Sequence, residues 1–323
     1  MTLIALVAAS IRIEAATSCG DRTPGECEDD RRPGISNSQF NVTLAATSDA
    51  VWTAAGPYRI DAKSGAVTGP FTTGTENDVG VGDGSVWVSD YHADLVHRLD
   101  ASTGKQVAVI KLPKGGNPEG IAVTQNAVWV AEHHLGNVTR IDPKTNRIVA
   151  TVLVGPPGDG GPQEVAFGFG SLWADVPNNN SLVRVDPKTN TIAAFVTFPS
   201  NMIPCGGIAI GRTAVWVTGC PDVKKKIARV DPKTNAIASI LAIGGGAYQA
   251  YADRDTVWFV AGADPDNSPN APAYLMQLRA DDTVARRIAL SRGFVSGGLT
   301  VAFGSVWFSD LYNPVVIRLP DPR

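Results

Sequence analysis

The sequence predicts an all-β fold, a seven-bladed β-propeller of four-stranded antiparallel blades. A unit of about 42 residues recurs along the chain, and one tryptophan marks each copy. Short apolar and β-branched runs are separated by turn residues, and no stretch sustains a helical period.

The seven tryptophans are Trp52, Trp87, Trp129, Trp173, Trp216, Trp258 and Trp307, spaced 35, 42, 44, 43, 42 and 49 residues apart. A four-stranded blade takes roughly 40–45 residues, so seven tryptophans mean seven blades. Each follows an apolar residue and reads as an anchor packed between neighbouring blades. The third copy shows the unit: strand A over 120–123, strand B over 127–131, a loop over 132–137, strand C over 138–141 and strand D over 147–154.

The turn from C to D reads Asp-Pro-Lys-Thr-Asn at Asp142, Asp186 and Asp231, and Asp-Ala-Lys-Ser-Gly or Asp-Ala-Ser-Thr-Gly at Asp61 and Asp100. Asp hydrogen-bonds the backbone ahead of it, Pro presets φ, and Asn or Gly takes the left-handed conformation at the fifth position. That is a type I turn with a bulge, a hairpin device, so the recurrence of this motif reads as scaffold.

A propeller absorbs 323 residues as one domain, here 40–323, with residues 1–39 as a separate N-terminal segment. Composition is that of a soluble β protein, 44% hydrophobic and 18% charged, with a net charge of −3. There is no basic face for nucleic acid, and no run of 18 apolar residues to span a membrane. The N-terminal segment has two readings. Residues 1–9 are apolar and Ala16-Thr17-Ser18-Cys19 resembles a signal or lipoprotein cleavage site, with a lipid anchor at Cys19 as one outcome; but no Lys or Arg precedes the apolar run, and Arg12 and Glu14 interrupt it. Against this, the seventh copy stops without a strand D, and propellers close by borrowing a strand from the other terminus. Residues 11–15 and 35–40 are the candidates, and 20–34 reads as a loop.

Cys205 and Cys220 flank the hairpin 206–219 and fall nearly opposite one another, at the roughly 5 Å spacing of cross-strand neighbours, within disulfide reach. Cys19 and Cys27 are a second candidate pair. Disulfides imply an oxidising compartment, so a periplasmic or secreted location is expected. No Cys or His spacing suggests zinc. The long polar stretch 261–273 in the sixth copy reads as a surface loop. Its Asp264, Asp266 and Asn267 do not form a calcium-loop pattern.

Loops leading into strand A and loops from B to C share one face of a propeller, around the mouth of the central channel. Ahead of strand A the chain offers Asn77, Asp78, Glu119, Gln163, Glu164, Cys205, Tyr248, Gln249 and Ser296. After strand B it offers Asp90, Tyr91, His92, Glu132, His133, His134, Asp175, Asp310 and Tyr312. This polar ring is the expected site for a small molecule, peptide or cation. Within it, Asp90 with His92 and Glu132 with His134 repeat one spacing, a carboxylate and an imidazole suited to metal ligation or acid–base work.

The unit VWVAE followed by VTRIDPKTNRIVATVLVG, with Pro118-Glu119-Gly120-Ile121 ahead of it, resembles the YVTN-type seven-bladed propellers and their relatives, the virginiamycin B lyase family, over residues 40–319. The lyase resemblance implies a magnesium-assisted, non-hydrolytic opening of a cyclic depsipeptide ester, centred on a histidine directly after a proline ahead of strand A in late blades. The matching positions here are Glu119, Gln163 and Cys205, and the late copies read Ala247-Tyr248-Gln249-Ala250 and Ser296-Gly297-Gly298-Leu299. The family's histidines are missing. Two functions are therefore expected to compete. One is a monomeric binding or scaffold module, engaging a ligand at the mouth or a protein partner at its blade edges. The other is a lyase with a rearranged site, using Glu119, Glu132 and His134 around a divalent cation such as Mg²⁺ or Ca²⁺.

Overall fold

Each tryptophan sits on the second strand of a four-stranded sheet, and there are seven such sheets. The computed structural model describes residues 12–15, 43–220, 226–244, 247, 249–262, 272–290, 294, 296–310 and 315–320. The sole helix among them is a single 3-10 turn, Pro177–Asn179. Blade three runs Pro118–Thr124, Ala127–Glu132, Asn137–Asp142 and Arg147–Leu153, matching the strands read from sequence to within two residues. Inner strands of successive blades are neighbours all the way round, and blade one meets blade seven, so the ring is closed.

The closing strand is Arg12–Ala15, which pairs with Val315–Pro320 at the edge of the seventh sheet. It runs parallel to its neighbour, unlike the other pairings. No hairpin joins the two strands, so nothing imposes the antiparallel direction that a short turn dictates elsewhere. Cys19, Cys27, residues 35–40 and the acidic part of the sixth-blade loop lie outside the described residues.

All seven tryptophans are buried, each at 3% exposure or less. They pack forward into the next blade. Trp129 joins Leu172 and Val185, Trp87 joins Val128 and Ile141, and Trp307 joins Leu44 and Ile60 of blade one. Burial of so large a ring stabilises by several kcal/mol, roughly 3–5 on the scale of truncation to alanine.

A second forward link was not evident in the sequence. In six blades the third strand sets an arginine opposite the tryptophan; in four of them it stacks over the ring, and in five it reaches the C–D turn of the next blade. Arg140 lies 5.4 Å from the Trp129 ring centre and donates to Pro187 O at 2.8 Å and Asn190 Oδ1 at 3.0 Å. Arg98 and Arg184 repeat this with the turns at Asn146 and Asn235. Arg318 donates to Ala62 O of blade one, and Arg229 pairs with Asp282 of blade six. The Asp-Pro-Lys-Thr-Asn turn thus serves its own hairpin through Asp and its neighbour through Asn. Two blades depart. Arg59 turns back to Asp49 of its own blade at 2.6 Å, and Gln277 takes the place in blade six, opposite Trp258. A cavity of about 530 Å³ lies between blades one and two, lined by their A–B turns at Asp49 and Asp83 and by the C–D turn at Asp100.

Candidate functional site

The register brings the two predicted loop sets together. Glu76 pairs with Asp90, Pro118 with Glu132, Pro204 with Gly219 and Ser296 with Asp310. In each case a register shift follows at once, so extra residues are squeezed into the start of the inner strand. Such bulges re-aim side chains, and here they fall at Asn77–Asp78 and at Glu119–Gly120. Gly120 is required. A Cβ there would lie 2.7 Å from Gln163 O, to which its own N–H donates at 2.7 Å.

Four carboxylates from blades two to four gather at this end of the channel: Asp78, Glu119, Glu164 and Asp175. Glu164 is raised well above the usual carboxylate range, first by burial and then by the charges of Asp78, Asp175 and Glu119. Burial, with Asp175 and Asp78, pushes Glu119 up to about 8. Asp175 is fully buried and sits at about 6; its Oδ1 accepts from the N–H groups of Gln163 and Glu164 at 3.1 and 2.7 Å. Asp78, also raised by burial, accepts from Ile121 N at 2.7 Å and so joins blade two to blade three. Gln249 plays the same part between blades six and seven, accepting from Leu299 N.

The histidines divide. His133 is buried; its Nε2 accepts from Gly160 N at 3.2 Å, which leaves the proton on Nδ1. That Nδ1 faces Glu119 Oε1 at 3.8 Å, too far for a hydrogen bond. His134 commits one ring nitrogen to Asn117 Oδ1 and the other to Asp159 Oδ1, both at 2.7 Å. His92 is exposed, edge-on to Tyr91.

The spacing paired Asp90 with His92 and Glu132 with His134, and the structure places other groups there. Asp90 faces His97 at 3.6 Å, because His97 lies on the adjoining strand opposite Val88, whereas His92 leaves with the turn. The hydrogen bonds of Thr75 and the His97 imidazole outweigh burial, and Asp90 falls to about 2. In blade three the position of His97 is taken by Thr139, opposite Val130. Glu132 is fully buried, both its oxygens lack a hydrogen-bond partner, and burial raises its carboxyl. Glu132 therefore lies beneath the mouth and not on it. Asp310 is buried beside Ser296. Tyr248 and Tyr312 are outside the described residues. His97 was findable by counting across the strand register; Asp159 was not, since it belongs to an irregular connection between blades.

Among the described residues, two sets of side chains bring donor atoms within 4.8 Å of one another, His133–His134–Asp159 and Glu76–Asp90–His97. The first offers two imidazoles and one carboxylate, a borderline-metal set, while magnesium and calcium take oxygen ligands. The second is oxygen-rich, but its groups are already engaged, Glu76 with Thr72 and Gly56 N and Asp90 with Thr75 and His97. Neither set fits Mg²⁺ or Ca²⁺ well.

No protein-family model matches the sequence, and no curated protein matches it significantly. Solved structures do. A streptogramin B lyase superimposes with a TM-score of 0.71 at 20% identity, over 86% of this chain and 93% of that one. The chain has the propeller fold of the virginiamycin B lyases. A catalytically inactive His-to-Ala variant of virginiamycin B lyase from Staphylococcus aureus, solved with quinupristin, gives 0.69 at 17% identity, over 87% and 95%. A chain of the mitotic checkpoint complex gives 0.70 at 14%, over 96% of both. The lyase-type propeller is thus shared with a protein of an assembly, and likeness at these identities is likeness of fold.

Proposed function

We propose that this protein is an extracytoplasmic binding module, a monomer whose ligand site is the acidic end of the central channel. The observation that carries this reading is the gathering of Asp78, Glu119, Glu164 and Asp175 from three blades, where burial holds all four carboxyl groups above the usual range and their neighbours' charges raise Glu119 and Glu164 further. Like charges gathered in a water-poor space cost stability, which favours a functional reading of the cluster. The Cys205–Cys220 disulfide, with Cα atoms 4.9 Å apart, supports an oxidising compartment. No helix among the described residues is long and apolar enough to cross a membrane.

The test is a fragment screen by ligand-observed NMR against the native protein and a Glu119→Gln, Glu164→Gln double variant. Hits that the double variant loses support a site at the mouth. A hit list that is the same for both proteins sinks it.

A second reading is favoured by Glu119 and His133, which face each other at 3.8 Å. Burial lowers His133 and raises Glu119, so at neutral pH one is an unprotonated imidazole and the other a protonated acid. In a lyase acting on a cyclic ester, a base takes the proton from the carbon to be unsaturated while the carbon–oxygen bond breaks and a carboxylate leaves. Incubation with quinupristin separates the readings. Ring opening by elimination leaves the mass unchanged and shifts the retention time, whereas hydrolysis adds one water. Neither change, with metal absent after dialysis, leaves the binding module alone.

A further inference from the structure

We propose that the channel mouth takes an organic cation, a guanidinium or primary ammonium group carried by a small molecule, held between Glu119, Glu164 and Asp175. This rests on the reading of the mouth as a ligand site and names the class of its ligand.

The chain brings carboxylates together there and supplies no strong cation. Among the described residues no Lys or Arg is ion-paired with Asp78, Glu119, Glu164 or Asp175, and the one basic group within 4 Å is His133. That imidazole is a poor counter-ion. It is 7% exposed, its burial disfavours the charged form, and its neighbour His134 disfavours it further.

Two buried polar atoms outside normal hydrogen-bonding are a separate observation. His133 Nδ1 has no partner and is aimed at Glu119. Asp175 Oδ2, on a fully buried residue, has none either, although its sister oxygen takes two backbone N–H groups. Buried polar groups are satisfied in nine cases of ten or more, and each orphan calls for a water, an ion or a ligand.

The spread of the acids decides between ligand classes. A metal ion needs donor atoms that converge on a point, and the sets that do so lie at His133–His134–Asp159 and Glu76–Asp90–His97. Asp78, Glu164, Glu119 and Asp175 belong to neither. Carboxylates that sense one another yet do not converge match a planar fork or a three-donor head, whose N–H groups reach several acceptors at once. Tyr91, half-buried, has its hydroxyl raised first by burial and then by the Glu119 charge, and an aromatic ring near the acids is a favourable surface for a cation.

The experiment is calorimetry of the full chain with agmatine and methylguanidinium, against N-methylurea, acetate, MgCl₂ and CaCl₂. Saturable binding of agmatine is expected, with affinity at least tenfold lower in the Glu119→Gln, Glu164→Gln double variant and no binding of the urea. Gln cannot ionise, so the variant escapes the repulsion that builds up as the acids lose their protons, and it is expected to melt at or above the native temperature at pH 9. Should it fail to fold, a crystal structure of the native protein with agmatine reads the same contact directly. Binding of the urea as tightly as agmatine, or of a divalent ion alone, overturns the cation class while leaving a site at the mouth. No binding of any probe, together with an unchanged hit list in the fragment screen, overturns both.

Discussion

Glu119 Oε1 and His133 Nδ1 face each other across 3.8 Å, and neither takes the charge that the other would favour. Burial raises the acid to about 8 and lowers the imidazole. The two are a neutral pair at pH 7, held apart by more than a hydrogen bond.

Stability should therefore fall as the pH rises from about 5 to 9. Glu119 and Asp175 bind protons more tightly folded than unfolded, moving from 4.5 to about 8 and from 3.8 to about 6. Their protonated forms favour the native state, and that contribution is lost on passing through the folded values. For Glu119 the loss is roughly 3–5 kcal/mol. Thermal melts of native protein and Glu119→Gln across this range check it: the native curve should decline and the variant's should be much flatter.

Asp90 and Glu132 hold equivalent places in blades two and three and should respond in opposite ways to loss of charge. Asp90 has His97, while Glu132 has Thr139. Asp90→Asn breaks a buried pair and should cost roughly 3 kcal/mol at pH 5. Glu132→Gln should be neutral or stabilising at pH 8, because Gln cannot ionise and so avoids the cost of a charge at a buried site. The Asp90 contribution is present above 3.8 and is lost as pH falls through about 2. That of His97, whose value the Asp90 carboxylate raises, is present below 6.5 and lost as pH climbs through its folded value. Urea denaturation at pH 5 and pH 8 separates the two variants.

Arg140→Ala should lower stability by about 2–4 kcal/mol, since it removes a stack on Trp129 and two hydrogen bonds to the next blade. Arg140→Lys should recover less than half, because an ammonium lacks the planar fork. Calorimetric melting of the three proteins measures this.

Reduction of Cys205–Cys220 should destabilise by roughly 3 kcal/mol, as the bridge closes a loop of 15 residues. Melting with and without reductant gives the value, and Cys205→Ala should match the reduced protein.

The seven blades were legible because a repeat writes one packing solution seven times, and Trp52 to Trp307 mark it without ambiguity. The C–D turn was read as scaffold, yet the second task of Asn146, Asn190 and Asn235, as acceptors for the previous blade's arginine, was not visible. It depends on contacts some 50 residues apart. The site was legible as a ring of positions and not as partners. Spacing set His92 beside Asp90, but strand register sets His97 there. The bulges that free Glu119 to face the channel leave no mark in composition, and Asp159 comes from a loop with no repeat to align.

The arginines that reach forward form a chain of rivets, and the chain is broken twice. It runs unbroken from blade two to blade six and again from blade seven to blade one. At the two remaining joints Arg59 is turned back and Gln277 stands in. The ring is thus two riveted arcs joined by two seams that lack a rivet. The carboxylates of blades two to four all ride on the longer arc, so the four acids share one riveted frame.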